Sequence, residues 1–372
     1  MYVYTLPLSH SRLKLQNGKI RTSCYSNRSG SLRRSVKIPS STSKSWELTF
    51  IMLTVSDGGR ANFTCISAQQ PGLKDEDDTP RNNLKKALDS APPSRDFRGV
   101  LKEIVRNKYL EVAQMKENNS IFSLKKALDN APPSRDFRGA LKVSYIRTGS
   151  PGLIAEVKKA SPSRGVLRED FHAVEIAKAY ESGGAACLSV LTDEEYFQGS
   201  FENLEDIRNS GVKCPLLCKD FIVDVVQLYY ARIKGADAVL LIAAILPDID
   251  IKRMLKICKK IGLAALVEVH DENEMDRMLG IDGIELLGIN NRDLETFEVD
   301  ISITKKLLEG ERGEKIQQKG IIVVGESGLF TPDDIAYVQE AGVKAILVGE
   351  SIVKPKDPIQ GIRKLFGKDI SA

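Results

Sequence analysis

Histidine and paired cysteines are scarce in this chain of 372 residues, which has three His. No two of its Cys form a C-x-x-C pair, so the usual zinc spacings are missing and we expect no metal site. Most of the Cys lie in apolar strand or helix patterns, where a free thiol packs as a small hydrophobe. We therefore expect a reducing compartment and no disulfide framework. The six cysteines are Cys24, Cys65, Cys187, Cys214, Cys218 and Cys258.

Long apolar runs and a strong net charge are also missing. The longest apolar run near the start, Leu48 to Val55, is far too short to span a bilayer. The formal net charge of +4 is small for this length, and much of it comes from the N-terminus. Such a charge is no argument for nucleic-acid binding. We expect neither a membrane nor a nucleic acid as partner.

Acidic residues are almost missing from the N-terminal segment. Glu47 and Asp57 are the only acids before Asp75, while Ser, Arg and Lys are frequent. This composition is typical of an organelle transit peptide, and a merely disordered tail is the alternative. The acidic cluster at 75–78 ends the bias abruptly, which favours a disordered transit peptide over residues 1–70. Composition alone does not separate plastid from mitochondrion.

A near-identical internal repeat follows. Residues 84–102 (LKKALDSAPPSRDFRGVLK) recur at 124–142 (LKKALDNAPPSRDFRGALK), with differences at two positions. Solenoids need three or more units, and two copies of one irregular loop cannot occupy the same site. We predict that only the second copy packs natively. Residues 71–100 are thus interpreted as a linker with a duplicated segment, and 101–152 as an N-terminal helical extension that contains an amphipathic helix at 101–117.

Short apolar strands alternate with amphipathic helices from residue 153 to the C-terminus. Near-continuous apolar strands that alternate with helices indicate a parallel sheet buried on both sides. Eight such units over 153–372 predict an α/β fold, a closed (β/α)8 TIM barrel. A doubly wound open sheet is the alternative, but no G-x-G-x-x-G follows the first strand. The predicted strands are 153–158, 186–191, 215–220, 238–244, 264–269, 285–290, 321–326 and 345–349. The predicted helices between them are 173–182, 223–234, 249–260, 272–279, 303–308, 332–340 and 358–366.

The first strand leads into a polar loop, in the stretch LIAEVKKASPSRG at 153–165. Residues two apart on a strand share a face, so Glu156 and Lys158 are expected to point the same way. Taken alone, the pair fits a salt bridge that closes a strand end as well as it fits chemistry at the mouth of a barrel.

Polar residues stand at the ends of the other strands too, where barrel enzymes carry their chemistry. Charges there would be expensive to bury without partners, so their convergence favours a polar pocket. These residues are Glu156, Lys158, Asp193, Lys219, Asp220, Glu268, His270, Asn290, Arg292, Glu326, Ser327, Gly349 and Ser351.

The cations in this set, Lys158, Lys219 and Arg292, predict an anionic ligand. Arg292 suits a planar carboxylate, which guanidinium binds through two hydrogen bonds. The Gly-Glu-Ser turns after the last two strands, at 325–328 and 349–351, are each followed by a helix and predict a phosphate site. The Lys and Glu residues of the set suffice for proton transfer without a metal: Lys219, Glu268, Glu156, Lys158 and Glu326.

Several long segments, in order, resemble the indole-3-glycerol-phosphate synthase family in its plant plastid form. They are AEVKKASPSRG (155–165), LLCKDF (216–221), LVEVHDENE (266–274), GINNRDLETFEVD (288–300), VVGESGL (323–329) and ILVGES (346–351). The second repeat copy and the helix with EVAQMKE (111–117) also resemble the family's N-terminal extension.

The resemblance implies a lyase of tryptophan biosynthesis that uses no cofactor. The family converts 1-(2-carboxyphenylamino)-1-deoxyribulose 5-phosphate to indole-3-glycerol phosphate with loss of carbon dioxide and water. It implies that Lys219 is the general acid of ring closure, with an expected lowered pKa, and that Glu268 serves dehydration. Glu156 with Asn290, and Lys158, are expected to assist the later steps.

The resemblance also implies the substrate contacts. Arg292 and Ser161 match the contacts to the substrate's carboxylate, and Glu326 and Ser327 line the pocket. Gly328, Gly349, Glu350 and Ser351 match the phosphate turn. We expect a monomer in the chloroplast stroma that acts on a small phosphorylated substrate.

Two other functions remain open at this point. One is another phosphate-binding barrel, phosphoribosylanthranilate isomerase, although its chemistry calls for a Cys/Asp pair and the first strand offers Glu156 and Lys158. The other is a non-catalytic paralogue that binds a ligand or a partner protein.

Overall fold

The computed structural model describes residues 99–371, except for position 295, and the backbone of four short strands nearer the N-terminus. The chain divides into two compact units, 1–77 and 78–372. In the first unit, strand Lys14–Gln16 pairs antiparallel with Lys19–Arg21, and Thr49–Val55 with Ala61–Ser67. The predicted leader at 1–70 otherwise lies outside the described residues, as does the linker up to residue 98. Both stay predictions.

Eight parallel strands close into a barrel in the second unit. Each strand pairs with the next in chain order, and the eighth pairs with the first. The predicted TIM barrel is thereby confirmed and the open sheet was wrong, with strand ends within two residues of the predicted ones. The strands are β1 (Gly152–Val157), β2 (Cys187–Leu191), β3 (Leu216–Lys219), β4 (Ala238–Ile242), β5 (Ala264–Val269), β6 (Leu286–Asn290), β7 (Ile322–Glu326) and β8 (Ala345–Val348).

The strands form because their side chains are buried on both faces of the sheet. Every residue is buried in β1, β2, β4, β6, β7 and β8, which explains why these runs are apolar rather than alternating. Four cysteines pack in this unit as buried free thiols, as expected from their apolar neighbours: Cys187, Cys214, Cys218 and Cys258. Burial raises the pKa of each of these thiols, so they are held in the unreactive protonated form.

Helices surround the barrel and precede it. They are α1 (Gly99–Asn118), α2 (Ile121–Ala127), α3 (Phe137–Thr148), α4 (Ala173–Ser182), α5 (Phe201–Asn209), α6 (Val225–Ile233), α7 (Asp248–Ile261), α8 (Glu272–Leu279), α9 (Ser302–Leu308), α10 (Glu311–Lys319), α11 (Pro332–Glu340), α12 (Glu350–Val353) and α13 (Pro358–Phe366). None in the described part of the chain is long and apolar enough to cross a membrane.

Sequence periodicity missed several of these helices, among them α5, α10 and α12. In α10 only Ile316 is buried, so the helix has almost no apolar stripe to detect. Helix α12 has only four residues, which is too short for a periodic pattern.

The second repeat copy packs at the base of the barrel. Its Arg135 donates a backbone hydrogen bond to Asp237, just before β4, and a side-chain hydrogen bond to the Cys214 carbonyl, at 2.7 and 2.9 Å. Arg208 donates to the carbonyl of Pro133, and the Phe137 ring is 1% exposed. This agrees with native packing of the second copy. The first copy lies outside the described residues up to position 98, so that half stays a prediction.

Candidate active site

The C-terminal ends of the barrel strands enclose a cavity of about 1210 Å³, including its open mouth. Of the residues predicted for catalysis and substrate binding, all but Gly349 line this cavity, and Gly349 lies directly behind its wall. Those lining it are Glu156, Lys158, Ser161, Lys219, Glu268, Asn290, Arg292, Glu326, Ser327, Gly328, Glu350 and Ser351. The strand ends therefore bring together side chains that lie almost 200 residues apart in the chain.

Lys219 stands among carboxylates on the cavity floor. Its Nζ lies 3.9 Å from Glu268 and 4.0 Å from Glu326. Burial lowers the pKa of Lys219, but Glu268, Glu326 and Glu156 outweigh it, and the net pKa is raised. The expectation of a lowered pKa was therefore wrong. The reason is that three different strands direct a carboxylate at one ammonium, an arrangement that no local sequence pattern displays.

Glu268 and Glu326 differ in protonation although both are buried. Burial raises the pKa of Glu268, but Lys219 and His270 outweigh it and lower it below its usual range. The pKa of Glu326 is raised well above its usual range by burial and by the charge of Glu268. The surroundings thus favour the ionised form of Glu268 and the protonated form of Glu326. Gly288 on β6 leaves room for the Glu326 carboxyl, because a methyl group at this position would overlap it.

Glu156 and Lys158 form an ion pair inside the cavity. Burial raises the pKa of Glu156, but the charges of Lys158 and Lys219 outweigh burial. The net pKa is lowered, so this carboxylate is ionised. The salt bridge expected from the sequence is therefore present, and it forms part of the cavity wall. A methyl group at Gly349 would overlap the Glu156 carboxylate, so glycine is required beside this pair.

Arg292 is aligned by the backbone around it. Its backbone N–H donates to Asn290 Oδ1 at 3.1 Å, and its guanidinium donates to the carbonyl of Phe297 at 3.0 Å. Arg292 and Ser161 both line the cavity. This orientation suits a planar anion.

The loops after β7 and β8 also line the cavity. Ser327 adopts a left-handed backbone with φ 64°, a strained conformation for a non-glycine residue. The Ser351 hydroxyl donates to the carbonyl of Leu329 at 3.1 Å and so joins the two loops. The Glu350 carboxylate bonds to Lys354 at 2.6 Å and faces Arg164 at 3.6 Å.

The N-terminal helix supplies residues that sequence reasoning did not assign. Leu101 and Ile104 of α1 line the cavity. On the same helix Lys108, 1% exposed, places its Nζ 2.9 Å from Asp193 and 2.8 Å from Asp220. Asp193 was therefore wrongly grouped with the pocket, because it binds Lys108 behind the cavity wall. Lys108 lies on the same face of the helix as the buried apolar residues, and this spacing was the sequence signal that Lys108 is buried.

Sequence reasoning also missed the aromatic residues of the cavity and misplaced His270. Aromatic side chains form apolar walls of the cavity: Phe197, Phe221, Phe297 and Phe330. His270, expected in the pocket, lies behind it instead, between Glu268 and Glu274. No group of three or more His, Cys, Asp or Glu within residues 99–371 is arranged to hold a metal ion.

Comparison with known proteins decides the family. The family model described as "Indole-3-glycerol phosphate synthase" matches residues 101–365. The chain belongs to the indole-3-glycerol phosphate synthase family. The family resemblance drawn from the strand-end motifs is thus confirmed.

Curated members of this family are similar over the same part of the chain. "Indole-3-glycerol phosphate synthase, chloroplastic" of Arabidopsis thaliana is 71% identical over 274 residues, 74% of this chain and 68% of that protein. The synthase of the cyanobacterium Microcystis aeruginosa is 55% identical over 274 residues, 74% of this chain and 91% of that protein. That of Rippkaea orientalis is 52% identical over 304 residues, 81% of this chain and 99% of that protein.

Proposed function

We propose that this protein is an indole-3-glycerol phosphate synthase, with Lys219 and Glu268 as its proton donor and proton acceptor. The observation that carries the proposal is the floor of the cavity, where an ammonium and an ionised carboxylate lie 3.9 Å apart. Burial and Glu268 raise the pKa of a third group there, Glu326, and so favour its protonated form. Acid, base and a second proton source are thus all present in one enclosed site.

The cavity suits both anionic ends of 1-(2-carboxyphenylamino)-1-deoxyribulose 5-phosphate. Arg292, with Ser161, binds the aromatic carboxylate, because its guanidinium is aligned by a hydrogen bond to the Phe297 carbonyl and its backbone N–H is held by Asn290. The loops with Gly328 and Ser351 bind the phosphate at the other end, as is usual after the last two strands of a barrel.

Ring closure uses the ammonium first. The aromatic carbon that carries the carboxylate attacks the ketone carbon, and Lys219 donates a proton to the ketone oxygen. Carbon dioxide then leaves and its bonding electrons restore the aromatic ring. The raised pKa of Lys219 ensures that this proton is present at neutral pH, although it makes Lys219 a weaker acid than a lowered pKa would.

Dehydration uses the two carboxyl groups. The new hydroxyl leaves as water after it takes a proton, and the neighbouring carbon loses its proton to the ionised Glu268. Glu326 is the proton source for the hydroxyl, since it is neutral and buried beside Glu268. Over the whole reaction one proton is taken from solvent, which balances the loss of the carboxylate as neutral carbon dioxide. The Glu156–Lys158 pair and Asn290 orient the intermediate.

An activity assay of the full chain tests this function. The substrate lacks an indole ring, so product formation is followed by indole absorbance, with carbon dioxide release measured in parallel. We expect equal amounts of the two products. Inactivity of the wild type on this substrate, together with formation of the same compound from phosphoribosylanthranilate, would favour the isomerase-like alternative. Inactivity in both assays would favour the non-catalytic alternative.

We infer that the protein works in the chloroplast stroma, as a monomer without a cofactor. The Ser-rich, acid-poor leader supports a transit peptide, and a similar relative from Arabidopsis thaliana is named as chloroplastic. Fusion of residues 1–77 to a fluorescent protein tests the location. Retention in the cytosol would contradict it.

A further inference from the structure

His270 lies between two carboxylates just behind the cavity. Its Nε2 is 3.2 Å from Glu268 Oε1, and its Nδ1 is 3.1 Å from Glu274 Oε2. The side chain is 13% exposed. Because His270 contacts the proposed proton acceptor and does not itself line the cavity, it is placed to act on the reaction through Glu268.

Glu274 is held rigidly at the start of α8. Its carboxylate also accepts a hydrogen bond from the backbone N–H of His270 at 2.9 Å. Its own backbone N–H donates to Asp271 Oδ1 at 2.7 Å, in the first turn of the helix. The imidazole is therefore anchored on its far side by a carboxylate that cannot turn away without the loss of a buried hydrogen bond.

The surroundings favour the charged imidazolium. Only the protonated ring has an N–H on both nitrogens, one for each carboxylate. Burial lowers the pKa of His270, but Glu268 and Glu274 outweigh it and raise it to about 10. The contact of Nε2 to Glu268 Oε1, at 3.2 Å, is an ion pair. The other charged or titratable groups that face Glu268 are Lys219 on β3, Glu326 on β7 and Glu156 on β1.

The two oxygens of Glu268 are thereby distinguished. Oε1 faces the imidazolium, while Oε2 faces Lys219 and is buried without a hydrogen-bond partner among the described residues. One oxygen is anchored and the other is directed at the cavity, where a substrate proton is to be accepted.

We propose that His270, held by Glu274, is a positioning residue that keeps Glu268 ionised and directs its free oxygen at the substrate. This inference rests on the proposed function, because it gives Glu268 the role of proton acceptor. The imidazolium also decides which of the two buried carboxyl groups holds the shared proton, since its charge lies beside Glu268 and disfavours protonation there.

The pH dependence of the full-length enzyme tests the proposal. His270→Gln removes the charge but retains a side-chain amide donor, and Glu274→Gln removes the anchor of the ring. We expect the acidic limb of the kcat/KM profile to move up by about 1–2 pH units in His270→Gln, and by less in Glu274→Gln, because loss of a nearby cation raises the pKa of Glu268. His172→Gln is the matched control, since His172 is exposed and bonds only to the exposed Asp170.

Two results would overturn the proposal. One is a His270→Gln profile that superimposes on that of the wild type. The other is a uniform loss of kcat with an unmoved acidic limb, which a purely structural role predicts. If His270→Gln does not fold, the Glu274→Gln profile and the titration below decide.

Histidine titration by NMR tests the charge state independently of activity. With ¹³C-labelled histidine in the full chain, one imidazole is expected to titrate with a pKa of about 10, and its signal should be absent in His270→Gln. Titration of all three histidines near the usual pKa of about 6.5 would refute the charged state of His270, even in an active enzyme. A charged His270 in an inactive wild type would instead refute the proposed function, and with it the positioning role of His270 in the reaction.

Discussion

Gly349 lies so close to Glu156 that a single methyl group on Gly349 would overlap the Glu156 carboxylate. The same methyl group would lie 3.1 Å from Lys158 Nζ. The last strand of the barrel thus sets the position of an ion pair on the first strand. Glycine is required here by close packing against the site.

Gly349→Ala should therefore lower activity with little loss of fold. The methyl group displaces the Glu156–Lys158 pair from the cavity wall, and we expect kcat to fall about 10–100-fold, as for small misplacements of catalytic groups. Steady-state kinetics measure the effect. Gly325→Ala is the control, because a methyl group there meets only Val343 and Ile346 at 3.6 Å or more. Equal kinetics for the two variants would contradict the assignment.

Arg292→Ala should mainly weaken substrate binding. Loss of charge-assisted hydrogen bonds to a carboxylate costs about 1.5–3 kcal/mol, so KM should rise about 10–100-fold while kcat changes little. Arg292→Lys should lie between the two, because an ammonium retains the charge but not the planar fork. A change in kcat alone would argue against a carboxylate clamp.

Lys108→Met should destabilise the folded protein. It leaves Asp193 and Asp220 buried without their cation, which typically costs about 3–5 kcal/mol. Urea denaturation measures the loss. The exposed Lys102 on the same helix is the control, and Lys102→Met should change stability by less than about 0.5 kcal/mol. A similar small change for Lys108→Met would show that the buried cluster is not coupled to stability.

Phe137→Ala and Phe97→Ala compare the two repeat copies at equivalent positions. Phe137 is 1% exposed, so its truncation should cost about 3–5 kcal/mol of unfolding free energy. If only the second copy packs natively, Phe97→Ala should leave stability within about 0.5 kcal/mol of wild type. Comparable losses at both positions would refute the prediction about the first copy.

The barrel was predictable from sequence because each strand is buried on both faces and so forms an unbroken apolar run. The cavity was predictable because parallel strands place their C-terminal residues at one end, whatever their distance along the chain. Helices such as α10 were not, because one buried residue leaves no periodic signal.

Contacts between distant strands and helices limited the prediction of the site itself. The pKa of Lys219 is raised because Glu156, Glu268 and Glu326 approach it from three strands. The partners of Lys108 are Glu111 on α1, Asp193 after β2 and Asp220 after β3. No single segment of the sequence shows that these carboxylates meet at one lysine. Ion pairs between residues that are distant in the sequence can be identified only when the fold is known.

The most direct test of the account is the turnover of Lys219→Met on the proposed substrate, measured beside wild type and Lys178→Met, a change at an exposed lysine on α4. The account predicts that Lys219→Met lowers kcat by about 10²–10⁴-fold, the usual contribution of a general acid, while Lys178→Met matches wild type. Full activity of Lys219→Met would contradict the assignment of the ammonium as the proton donor.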